Sequence, residues 1–177
     1  MRLATKQMLM VVVLGFAVMA GGCGRYRDKP ACDTYFAPGD VGQFELRGDG
    51  LAVDPDSGLT WYRCNAGERF RDGACTGEAL LLSKADADAY VKDFSQSSGR
   101  QWRLPTQQEM RTLKMDACEN PALNTNVFPS AASDSYWNQG TSSHGSYMAC
   151  TTNTYSGYSF CRELATNQRP FMLILEK

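Results

Sequence analysis

The chain has 177 residues, 43% of them hydrophobic, with 18 basic against 19 acidic side chains and a single histidine. Its cations are scattered and form no stripe, which excludes a nucleic-acid binder working through bulk positive charge. With one histidine and no Cys-x-x-Cys pair, the spacing of a structural zinc centre is missing as well.

Taken in chain order, the first segment carries Arg2 and Lys6, then an apolar run from Met8 to Ala20, and no acid before Asp28. A basic start, a short apolar middle and small residues at the end are the layout of a secretory signal peptide, over residues 1–22. The apolar run falls short of the roughly 20 residues that cross a bilayer as a lasting helix. Ala20-Gly21-Gly22 immediately before Cys23 resembles the lipobox of bacterial lipoproteins, in which the cysteine becomes the lipidated first residue. An ordinary cleaved signal with an unlipidated Cys23 is the alternative. Gly24 in place of an acid favours, by the same resemblance, sorting to the outer membrane. Removing residues 1–22 leaves 155 residues, enough for one domain with a proper core.

Beyond Cys23 six cysteines remain, an even number that in an exported chain reads as three disulfides. Cys64 and Cys75 flank a polar, glycine-containing loop, and Cys150 and Cys161 bracket the turn residues Ser156-Gly157. Cys32 and Cys118 would then close a long-range bridge. Residues 23–40, polar and broken by Pro30 and Pro38, read as a lipidated tether, and 41–177 as the domain.

Within the domain, Leu51–Asp54 and Leu59–Arg63 form the arms of a hairpin around Asp54-Pro55-Asp56-Ser57-Gly58. Arg47-Gly48-Asp49 spells an integrin-binding tripeptide, and reads here as a loop between strands. Ser83 caps a helix in which Ala87, Tyr90, Val91 and Phe94 make a core-facing stripe. Thr106-Gln107-Gln108-Glu109 is a capping box, entered from Pro105, for a second helix that continues toward Asp116. After Cys118 the chain is loop-rich, with Phe128 expected in the core. Ser135–Asn138, Ser146–Cys150 and Tyr158–Cys161 then read as short strands, and Pro170–Leu175 as a buried closing strand. The class is α+β.

The order of Asp56-Ser57-Gly58-Leu59-Thr60-Trp61, Arg63-Cys64, Cys75-Thr76-Gly77, Trp102-Arg103-Leu104-Pro105-Thr106, Glu109-Met110-Arg111, Phe128-Pro129 and Tyr136-Trp137 resembles the Lcl C-terminal domain family, over about residues 50–176. The resemblance implies a fold akin to the C-type-lectin-like and formylglycine-generating-enzyme group: one domain with two helices, short antiparallel strands and long disulfide-stapled loops. The family usually closes on a basic strand, whereas Phe171-Met172-Leu173-Ile174-Leu175 here is wholly apolar and reads as structural.

Function follows as an expectation of binding rather than catalysis, in a lipoprotein of the bacterial outer membrane facing the periplasm or the cell surface. Its partners would be the membrane, through the lipid, and a glycan. Tyr136, Trp137, Tyr147, Tyr155 and Tyr158 are the ligand-binding candidates, since aromatic faces stack on sugar rings. The alternative is an assembly lipoprotein that binds another envelope protein. A divergent formylglycine-generating-type oxidase stands behind both, because the spacing of Cys150 and Cys161 does not match that group's copper-binding pair. His144 beside Ser142 and Ser143 reads as a solvated turn, not a nucleophile and its base. Asp54, Asp56 and Asp134 could donate oxygens to calcium but show no ordered ligand spacing. No cofactor, metal or nucleic acid is expected.

Overall fold

The computed structural model describes residues 28–176, so the expected signal peptide at 1–22 and the expected lipidation site Cys23 lie outside the described residues. Helix α1 (Cys32–Tyr35) and strand β1 (Glu45–Arg47) precede the hairpin of β2 (Leu51–Asp54) and β3 (Leu59–Tyr62). A small hairpin, β4 (Arg69–Arg71) with β5 (Ala74–Thr76), leads to α2 (Lys84–Ser98), β6 (Trp102–Arg103) and α3 (Gln107–Thr112). Strands β7 (Ser135–Thr141), β8 (Met148–Asn153), β9 (Tyr158–Leu164) and β10 (Ile174–Leu175) complete the chain. The architecture is α+β, with an antiparallel five-stranded sheet in the order β1-β2-β3-β10-β6, a three-stranded sheet β7-β8-β9, and the β4-β5 ribbon.

Alternation explains the two cores. In the closing segment Met172 and Ile174 enter one hydrophobic cluster with Trp61, Phe128 and Tyr136. Phe171 and Leu173, pointing the other way, enter a second with Val91, Trp102 and Trp137. A strand buried on both faces needs the continuous apolar run that residues 170–175 supply. It is also hydrogen-bonded along its length, because Leu173 and Phe171 accept from the amides of Tyr62 and Ala66, and Pro170 from that of Trp137.

The β2–β3 turn forms as its composition requires. Asp54 is buried and accepts from the Asp56 amide and the Ser57 hydroxyl, so it closes the turn on itself. Helix α2 starts at Ser83, whose hydroxyl accepts from the Asp86 amide, and stops at Gly99 in the left-handed region. Helix α3 begins with the capping box, Thr106 accepting from Glu109 N and Glu109 from Thr106 N. It ends earlier than expected, at Thr112, because the Met115 amide turns away to the carbonyl of Ala122.

The Trp102–Glu109 stretch has a further tie that sequence alone did not reveal. Arg103 donates to both oxygens of Glu109, at 2.8 and 2.6 Å, a bidentate pair that locks β6 onto the start of α3. The hydrogen bond from Arg103, together with those from Thr106, outweighs burial and holds the Glu109 carboxyl down at about 2. A group whose folded pKa is depressed contributes stability above its unfolded value, and loses it as pH falls toward the folded one. Stability of the native chain is therefore expected to drop between about pH 4.5 and pH 2, and denaturant titrations of a Glu109→Gln variant should show a shallower fall over that window.

All three expected disulfides are present: Cys32–Cys118, Cys64–Cys75 and Cys150–Cys161. The first changes the reading of the tether. Cys32 is fully buried, the backbones of Pro30 and Cys32 pair with Glu119, and Asn126 donates to the carbonyls of Ala37 and Asp40. Residues 31–40 thus belong to the domain surface, and α1 is a third helical turn beside the two expected.

Candidate functional site

Strand β7 leaves the core at Asn138, which is fully buried, and reaches solvent at Gln139 and Gly140. The loop to β8, residues 142–147, is held by three ties. Ser142 donates to the carbonyl of Cys161 at 2.7 Å, the His144 amide donates back to Ser142 Oγ, and the Ala165 amide donates to Tyr147 O. Gly145 has a φ of +113°, and a Cβ there would lie 2.9 Å from the Tyr147 ring. Only glycine lets that ring fold back over the loop.

Between this loop and the start of α2 lies a cleft of about 450 Å³, bordered by Lys84 and Asp88 on one side and by Thr141, Ser142, Ser143 and Ser146 on the other. Met148, Ala149 and Ala165 give it an apolar component. Lys84 and Asp88 are ion-paired at 2.6 Å across one helical turn. A second cleft, about 340 Å³, shares Gly140 and Thr141 with the first and continues past Gln107, Gln108, Arg111 and the Cys150–Cys161 bridge. A third, about 310 Å³, shares Arg111 and ends at Lys114, Tyr158 and Ser159. Together they are lined by hydroxyls, amides, the cations Lys84, Arg111 and Lys114, the acid Asp88, and Tyr158 in the third.

The expected ligand residues divide. Tyr136 and Trp137 are both fully buried, which corrects their assignment to a ligand surface. The Trp137 indole donates to Leu82 O at 2.7 Å, and the Tyr136 hydroxyl accepts from the Ala132 amide. Burial pushes the Tyr136 phenol up to about 12. Tyr147, 61% exposed, stands beside the first cleft, and Tyr158 lines the third with the Lys114 ammonium 4.7 Å from its ring centre. Tyr155 lies beyond the other end of β8, its hydroxyl on Glu119. The candidates therefore do not make one patch.

Several groups at the clefts carried no signal beyond ordinary helix polarity, Lys84 and Asp88 from α2 and Gln107 and Gln108 from α3, while Arg111 stood out only as part of the family motif. They reach the site because both helix starts pack near the β7–β8 end. Other candidates have structural partners. Ser142 is turned to backbone, and His144 Nε2 accepts from Arg162 at 3.2 Å. Asp134 pairs with Arg169, far along the chain from the Asp54 turn. Among the described residues one cluster has metal-ligand proximity, Cys64, Glu68 and Cys75, and its two sulfurs are bonded to each other.

Fold and site together define a disulfide-stapled α+β domain that opens polar clefts along a three-stranded sheet. Residues 50–174 match the family model of the Lcl C-terminal domain, and the chain belongs to that family. No curated protein and no solved structure matched the chain.

Proposed function

We propose that the protein is an envelope lipoprotein, exported and acylated at Cys23, whose domain binds a carbohydrate without transforming it. The contiguous clefts around Gly140 and Thr141 carry the reading. Serine and threonine hydroxyls and glutamine amides suit the donors and acceptors of a sugar, and the exposed Tyr147 ring suits its apolar face. The same groups argue for binding over chemistry. Ser142 and His144 spend their hydrogen bonds elsewhere, and the sulfurs of Cys150 and Cys161, joined to one another, offer no thiolate pair to copper.

One observation favours the second reading, docking of another envelope protein. Strand β9 is an edge of its sheet and exposes Tyr158, Phe160 and Leu164, and such an edge can accept a further strand. A glycan array separates the two readings when probed with the chain from Cys23 onward and with a Thr141→Trp variant, which fills the junction of the first two clefts. The carbohydrate reading expects positive spots whose affinity falls at least about tenfold in the variant, or about 1.4 kcal/mol, with an unchanged melting temperature. A blank array, with a protein recovered by crosslinking through β9, supports the docking reading instead.

A further inference from the structure

We infer that the end of the domain carrying the Cys32–Cys118 bridge rests on the bilayer, with Tyr35, Tyr155 and Tyr158 set into the headgroup layer, so that the cleft beside Tyr147 points away from the membrane. This rests on the lipid at Cys23 proposed above.

Covalent reach gives the first support. Cys23 and Cys32 are nine residues apart, so whatever path the chain takes between them, the lipid lies within roughly 30 Å of the bridge, a bound that limits the distance and leaves the choice of end to the residues around the entry point. The bridge in turn fixes that point of entry on the domain, since Cys32 is fully buried against Cys118.

The residues around the entry point give the second. Tyr35, three positions beyond Cys32 on α1, is 48% exposed. Glu119, next to Cys118, bonds the backbone of Pro30 and Cys32 and accepts the Tyr155 hydroxyl. The Asn120 amide donates to Tyr155 O, so the β8–β9 turn is held against the same corner. Tyr158, at the other side of that turn, lies under Lys114, which pairs with Asp116. Tyr155 is thus tied to the corner where the anchor meets the fold, with exposed Tyr35 at the end of α1 and exposed Tyr158 across the β8–β9 turn. A phenol has an apolar ring and a wet hydroxyl, the combination that settles at a membrane–water boundary. Lys29 and Lys114 share this end with Asp33, Asp116 and Glu119, two cations against three anions, so ring burial and not attraction to anionic lipid is the source of contact.

The opposite end follows from topology. Strand β8 runs from Met148 to Asn153, about 17 Å, and Tyr147 with the first cleft lies at its start while Tyr155 lies beyond its end. A ligand entering that cleft would come from the aqueous side, which suits a polymer outside the leaflet and not a lipid headgroup.

Hydroxyl-radical footprinting read by mass spectrometry tests the orientation. The chain from Cys23 onward is coupled through Cys23 to a maleimide-bearing lipid in phosphatidylcholine vesicles, an arm that needs no cellular acylation. Labelling of Tyr35, Tyr155 and Tyr158 should fall several-fold on the vesicles relative to the same protein in solution, while Tyr147 keeps its solution rate. Equal labelling of all four tyrosines, or protection of Tyr147, overturns the orientation. The mass of the N-terminal peptide from native membranes is read separately. An unmodified Cys23 there overturns the anchor itself, whereas an acylated Cys23 with an unchanged footprint overturns only the face assigned to the bilayer.

Discussion

Replacing Cys32 and Cys118 together by serine should lower the stability of the domain by about 4 kcal/mol, the loop-closure term for so long a ring. The bridge spans 86 residues, far more than the two local bridges, and it alone ties residues 31–40 covalently to the rest. For a domain of this size the loss corresponds to a melting temperature lower by roughly 10 °C. Thermal unfolding followed by circular dichroism checks it. A variant that melts with the oxidised native protein would mean that the segment is held by its hydrogen bonds to Glu119 and Asn126 alone.

Trp137→Ala should cost a comparable amount, about 3–5 kcal/mol. The indole is fully buried in the second core cluster and satisfies the carbonyl of Leu82. Truncation removes the packing and one of that carbonyl's two donors, the Arg169 amide remaining as the other. Trp137→Phe keeps most of the volume but not the bond, and with Leu82 O still held by the Arg169 amide it should cost about 0.5–1.5 kcal/mol. Urea titrations of the two variants separate these contributions. If Trp137→Ala instead kept native stability and lost only ligand, the residue would be a binding group after all.

The contrast between Trp137 and Tyr147 shows where reading the chain succeeds. Local grammar was sufficient for the β2–β3 hairpin, the Ser83 cap, the Thr106–Glu109 capping box and the doubly buried closing strand, because each is decided by neighbours within a few residues. Cysteine spacing resolved the two local bridges, each 11 residues apart, and left the third by elimination. Exposure of aromatics was harder. Tyr136 and Trp137 look like Tyr147 and Tyr155 in composition, yet they face opposite cores from adjacent positions on β7, and only the packing of α2 and α3 against the sheet decides that. Four-residue α1 is too short for any periodicity to announce it. The clefts were least legible, since they join residues from two helices and a loop whose meeting depends on long-range contacts.

The proposed ligand site lies at the β7–β8 end of the domain. Hydrogen exchange by mass spectrometry, on the chain from Cys23 onward with and without the glycan giving the strongest array signal, tests it most directly. Added protection is expected in peptides covering residues 139–149 and 106–111, with the α1 segment 31–40 unchanged. Protection confined to β9, or absent from the loop between β7 and β8, would contradict it.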